Sequence, residues 1–143
     1  MMEFGLIYPM VAMVALTFVV LVALFRSRTR AVGAGEISVT FFRTYQGAVE
    51  PESTVKMSRH FANIFEAPTL FYIACLAAMV AGQATVAFQV LAWLYVGLRA
   101  IHALVHTGGN RLRKRIAVYF ASWIVLLTMW LYLAVGVALS GLG

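Results

Sequence analysis

Residues 4–25 read FGLIYPMVAMVALTFVVLVALF, 22 positions from Phe4 to Phe25 without one charged side chain. A helix rising about 1.5 Å per residue needs about 20 apolar residues to cross the hydrocarbon core of a bilayer. This stretch meets that length with no charged interruption. Pro9 falls near its start, where a membrane helix tolerates the missing hydrogen bond. A secretory leader would open on a basic segment, carry a shorter apolar run and end in a cleavage site. Here Glu3 stands in place of the basic segment and no cleavage site follows, so a retained helix is expected.

Three further segments satisfy the same length. One begins around Val55, is polar for about three turns and then apolar from Ala67 to Ala81. The next runs from Ala84 to His106, and the last from Ile116 to Leu139. The whole chain has 143 residues, 63% of them hydrophobic and 11% charged, with a mean hydropathy of +0.91. A small soluble domain has no way of hiding that much apolar surface. The expected architecture is an all-α integral membrane protein, a single four-transmembrane-helix bundle over residues 1–143 with helices at about 4–25, 55–81, 84–106 and 116–139.

The formal charge is +6. In a soluble protein that excess would raise nucleic acid as a partner; in this chain it serves as a topology signal, and no nucleic-acid partner is expected. Arg26, Arg28, Arg30, Arg43, Lys56 and Arg59 sit in or beside the first connection, and Arg111, Arg113, Lys114 and Arg115 in the third. Arg99 lies within the third helix, while the second connection and both termini carry no Lys or Arg. Basic residues are retained on the cytoplasmic side. Loops 26–55 and 107–115 are therefore expected to be cytoplasmic and both termini outside; the short termini suit a bacterial inner membrane. Cys75 is the single cysteine and falls in an apolar run, which excludes an internal disulfide and any multi-cysteine metal site.

Ionisable groups inside membrane segments are costly and mark function or pairing. Arg59, Asn63 and Glu66 on the second helix are spaced by four and three residues, within roughly 60° of arc. Arg99, His102 and His106 on the third helix are spaced by three and four, again within roughly 60°. Arg115 and Tyr119 open the fourth helix one turn apart. The alternating helix directions bring all eight to a similar depth, which suggests a polar pocket opening to the cytoplasm. Each has a plainer reading: Arg59 and Arg115 as interfacial anchors, Glu66 with Arg99 as a structural ion pair, either histidine as an interhelical hydrogen-bonder, and Tyr119 as an interfacial aromatic. A structural pair needs two residues, however, and eight converge. Arginines suit carboxylates and phosphates, Glu66 suits an ammonium, and Asn63 offers both donor and acceptor. A small zwitterion or multiply charged anion fits this set.

The run Arg59-His60-Phe61-Ala62-Asn63-Ile64-Phe65-Glu66, followed by Pro68 and Phe71, resembles the R-x-x-x-N-x-x-E signature of the MAPEG family, the membrane-associated proteins in eicosanoid and glutathione metabolism. Arg99-Ala100-Ile101-His102 through Arg115 and Tyr119 is similar to the second block of that family. The four-helix layout, the long first loop and the basic third loop agree as well. The resemblance implies a homotrimer with glutathione held between subunits at the cytoplasmic side. It also implies that Arg59, Asn63, Glu66, Arg99, His102, Arg115 and Tyr119 contribute to that site, with Arg115 close to the thiol. His106 extends the helix-three stripe and is included among the candidate binding residues.

The chain also departs from the family's branches. Ala62 replaces a second arginine, Ile116 a serine, and His106 a tyrosine, so prostaglandin synthesis is not expected; the leukotriene synthase pattern is absent too.

The leading expectation is a glutathione-dependent transferase or peroxidase acting on lipophilic electrophiles that arrive from the bilayer. Arg115 and Tyr119 would be the catalytic pair, and Arg59, Asn63, Glu66, Arg99, His102 and His106 would bind glutathione. The alternative is a non-catalytic membrane protein of the same fold that binds a small anion or lipid, a reading favoured by Ala62 and Ile116. A proton path through Glu66, His102 and His106 would need polar residues at every depth; the far halves of the helices offer mainly Thr128, Gln89 and Gln83. His102 and His106 at i and i+4 can chelate a metal, but only Glu66 and His60 suggest themselves as further ligands, and no metal is expected.

Overall fold

A computed structural model of the protein describes residues 4–107 and 112–141, with side chains at all of these positions except 106, 107 and 112. Its long helices are α1 (Ile7–Gly33), α3 (Glu52–Val80), α4 (Val86–Thr107) and α5 (Leu112–Ser140), with the single-turn α2 (Phe41–Thr44) between α1 and α3. Each long helix is long and apolar enough to cross a membrane. The fold is all-α, and no strand occurs among the described residues.

The helices overrun the apolar segments that announce them. α1 continues past Phe25 through Arg26, Arg28 and Arg30 to Gly33, so the first connection begins at Ala34. α3 starts at Glu52 behind Pro51, whose φ of −55° leads into the first turn. Hydrocarbon thickness limits the apolar run, but backbone hydrogen bonding is not confined to it. At 27 residues α1 spans about 40 Å, beyond the roughly 30 Å core. Arg30 in its last turn complements the negative end of the helix dipole. The helix closes where Gly35 takes φ +72° and the Glu36 N–H donates to the Ala31 carbonyl at 3.0 Å, a turn that favours glycine.

Each helix turns one narrow stripe inward. On α3 the stripe is His60, Ile64, Ala67, Phe71, Ala74 and Ala78; on α4 it is Phe88, Ala92, Tyr95, Arg99 and His102; on α5 it is Ser122, Leu126, Met129 and Leu133. The spacing alternates four and three throughout, the 3.5-residue repeat of helices packed knobs-into-holes. Met13, Val20 and Leu24 supply the seam from α1. α1 packs mainly on α3, and α4 mainly on α5; α1·α4 and α3·α5 contacts close the ring, and α3 also touches α4. α3 and α4 are therefore the two helices nearest the bundle axis. Opposite faces carry exposed Phe18, Val19, Phe120, Ile124, Leu127 and Leu131.

Polar contacts seal the end holding the second connection. Gly82 at φ +67° closes α3, with the Gln83 N–H donating to the Ala78 carbonyl at 2.8 Å. Thr85 caps α4, accepting from the Phe88 N–H at 3.2 Å. Its hydroxyl also lies 2.8 Å from the Tyr132 hydroxyl on α5. At the other end Arg28 binds the first connection. Its Nη2 donates to Ser58 at 3.3 Å, and its guanidinium lies 5.1 Å from the Phe42 ring centroid and 5.7 Å from that of Tyr45.

Candidate functional site

α4 ends and α3 and α5 begin at the arginine-rich end of the bundle, and their inward stripes turn polar there. Arg99 is 2% exposed and His102 is 3% exposed, both on the same stripe as Phe88, Ala92 and Tyr95. Below them the Tyr95 ring stacks on Phe71 of α3 at 4.7 Å and 14°, forming an apolar floor. From α3 the Asn63 carbonyl accepts a hydrogen bond from Arg99 Nη2 at 3.2 Å. Tyr95, Tyr119 and Glu66 are the electrostatic neighbours of Arg99. Its Nε and Nη1 are buried and reach no acceptor among the described residues, as is also true of the Tyr95 hydroxyl.

Three rings from three helices meet at this level. The centroids of His60 on α3 and His102 on α4 are 5.6 Å apart. His102 is in turn 5.8 Å from Tyr119 on α5, and the Tyr119 ring is 6.4 Å from Trp123, one turn further along. Arg115, one turn before Tyr119, is half-buried, as is Tyr119 itself. α5 thus presents Arg115, Tyr119 and Trp123 in a row one turn apart.

The candidate residues divide into two groups. Arg99, His102 and Tyr119 come together around the interior, with the Asn63 backbone and Arg115 at its edge. Arg59 and Glu66 are exposed on the outer face of the bundle. The reason is phase: Ile64, Ala67 and Phe71 fix the buried stripe of α3, and each residue one place earlier is turned about 100° from it. The His106 side chain lies outside the described residues. His60, 1% exposed, belongs to the interior group and lies beside the polar stripe of Arg59, Asn63 and Glu66. The four-three alternation from His60 through Ile64, Ala67 and Phe71 is the sequence signal that reveals it. Among the described residues no cluster of three or more His, Cys, Asp or Glu is placed to hold a metal ion.

The family model described as MAPEG family matches residues 6–135, most of the chain. The protein belongs to the MAPEG family. No curated protein and no solved structure matches it. The span matched to the MAPEG family takes in α3 and α4 and most of α5, the helices that supply Asn63, Arg99, His102 and Tyr119. A cavity of about 1130 Å³ in this MAPEG chain lies apart from that centre, in a groove between α1 and α3.

Proposed function

We propose that the protein binds glutathione at the arginine-rich end of the bundle and acts as a glutathione-dependent transferase or peroxidase on lipophilic electrophiles. Family membership supports a glutathione-related role, and the observation that carries the reading is Arg99. A guanidinium in a buried site requires a compensating anion. Among the described residues, Arg99 has a neutral carbonyl on Nη2 and two nitrogens that reach no acceptor, with the Glu66 carboxylate acting on it only through space. Glutathione brings two carboxylates, one ammonium and a thiol, which suit Arg99, Arg59 and Arg115 for the anionic groups and Glu66 for the ammonium. Asn63 and His102 border the same region.

In this reading Arg115 stabilises the thiolate electrostatically and the Tyr119 hydroxyl donates a hydrogen bond to the sulfur. Because Arg59 and Glu66 face outward, a complete binding site needs a second protomer against α3, in keeping with a homotrimer. The second substrate enters from the bilayer. By the distribution of Lys and Arg, this end faces the cytoplasm and both termini face away from it.

Two measurements test the proposal. Millimolar glutathione should raise the melting temperature of the detergent-purified protein, since a ligand stabilises only the state it binds. Turnover with a chlorodinitrobenzene-type acceptor should be lost in Arg115→Ala and kept in Arg113→Ala. Full activity in Arg115→Ala would remove that residue from its assigned role. A second reading, a non-catalytic member that binds a small anion or lipid, is favoured by Ala62 and by Ile116, an apolar side chain 45% exposed beside Arg115. A glutathione-induced stability shift without turnover on any acceptor would select it.

A further inference from the structure

We propose that Tyr95 is a further binding residue, whose hydroxyl and the Arg99 guanidinium together hold one carboxylate of the ligand inside the bundle. The proposal rests on the reading of this region as a glutathione site and adds a side chain to it. Tyr95 stands one turn before Arg99 on α4, and both are sealed in, at 0% and 2% exposed. Helical side chains lean toward the N-terminal end of their helix, so the long Arg99 side chain extends back toward Tyr95. Arg99 leads the electrostatic neighbours of the Tyr95 hydroxyl, ahead of Tyr72 and Tyr119.

Packing does not account for that hydroxyl. The ring stacks on Phe71 at 4.7 Å and 14°, a contact that a phenylalanine makes equally well. Taking a hydroxyl out of water without giving it a partner is costly. Among the described residues, the Tyr95 hydroxyl and the Nε and Nη1 of Arg99 are buried donors that reach no acceptor. The Asn63 carbonyl meanwhile holds Nη2 at 3.2 Å, which fixes the guanidinium in place.

The donors define their complement. A carboxylate accepts on two oxygens, so one can take the tyrosine proton while the other meets the guanidinium, and its charge answers the cation. A water molecule could accept the same bonds, but it would leave a buried charge uncompensated. The thiolate is a different group of the same ligand, placed against Arg115 and Tyr119 on α5. Carboxylate and sulfur are thus assigned to separate helices.

Isothermal titration of glutathione into the detergent-purified protein, with parallel melting curves, tests the proposal. Tyr95→Phe keeps the stack on Phe71 and removes only the hydroxyl. It should weaken glutathione binding about tenfold, as expected for losing one hydrogen bond to a charged acceptor. The ligand-free variant should nevertheless melt at or above the wild-type temperature, because a buried hydroxyl without a partner is gone. A purely structural role would instead lower the melting temperature, and that result would overturn the proposal. Tyr72→Phe, the same change on neighbouring α3, should leave the affinity unchanged. Wild-type affinity in Tyr95→Phe would also overturn the proposal, with an internal water as the partner of the hydroxyl, and would leave the glutathione reading standing. Sodium formate, a bare carboxylate, probes the site apart from that reading: at equal ionic strength it should raise the melting temperature of the wild type more than that of Tyr95→Phe. Absence of glutathione binding to the wild type would remove the glutathione reading, and an equal formate response in the two proteins would then overturn this proposal as well.

Discussion

Arg99 on α4 donates from Nη2 to the backbone carbonyl of Asn63 on α3 at 3.2 Å, joining the two helices nearest the bundle axis. It is an unusual contact for a membrane interior, because among the described residues the guanidinium hydrogen-bonds to a neutral carbonyl and not to a carboxylate. Arg99 thus both ties helices together and leaves a charge for a ligand to answer.

Arg99→Met separates those two roles. Replacing a buried charge by a hydrophobe of similar volume is often neutral or stabilising. The variant should melt at or above the wild-type temperature in detergent, yet show no glutathione-induced rise. Thermal unfolding with and without millimolar glutathione checks both halves; a retained shift would remove Arg99 from the binding site.

Neighbouring residues on α3 should respond very differently. His60 is buried against His102 at 5.6 Å, whereas Arg59 is exposed. His60→Ala leaves a gap in the seam and should cost about 1–3 kcal/mol. Arg59→Ala should stay within about 0.5 kcal/mol in the absence of ligand. Melting curves of the two variants measured side by side check this difference.

Thr85 links a cap to a tertiary contact. Thr85→Ala removes the acceptor for the Phe88 N–H and the partner of the Tyr132 hydroxyl, with an expected cost of about 1–2 kcal/mol. Tyr132→Phe removes only the interhelical bond and should cost about 0.5–1 kcal/mol. In a double-mutant cycle on unfolding free energies, the Tyr132→Phe change should be near zero once Thr85 is gone.

The first connection is held through Arg28. Arg28→Ala removes the bond to Ser58 and the contacts with Phe42 and Tyr45, each cation–π contact worth about 0.5–1 kcal/mol. Segment 34–51 should then be cleaved faster by added trypsin at Arg43, without change in the global melting temperature. An unchanged cleavage rate would show that other contacts hold the segment.

Much of the molecule is legible from residue order. Segments such as Phe4 to Phe25 identify spanning helices because crossing hydrocarbon is a local requirement on length and polarity. The stripe containing Arg99 and His102 was visible as well, because charges inside a span stand out against apolar neighbours. The helix ends were less so: Arg26 to Gly33 reads as loop by charge, yet continues α1 beyond the hydrocarbon.

Sequence by itself therefore determined that the chain crosses a membrane four times, and where its ionisable residues fall along the helices. Only the tertiary structure decided which way each helix faces. In water, an apolar stripe identifies the buried side. In lipid, Phe71 and Phe120 are equally at home, and one is sealed in the bundle while the other is 60% exposed. That ambiguity concealed His60 inside the core, turned Arg59 and Glu66 outward, and kept the α1–α3 groove out of sight until the helices were placed together.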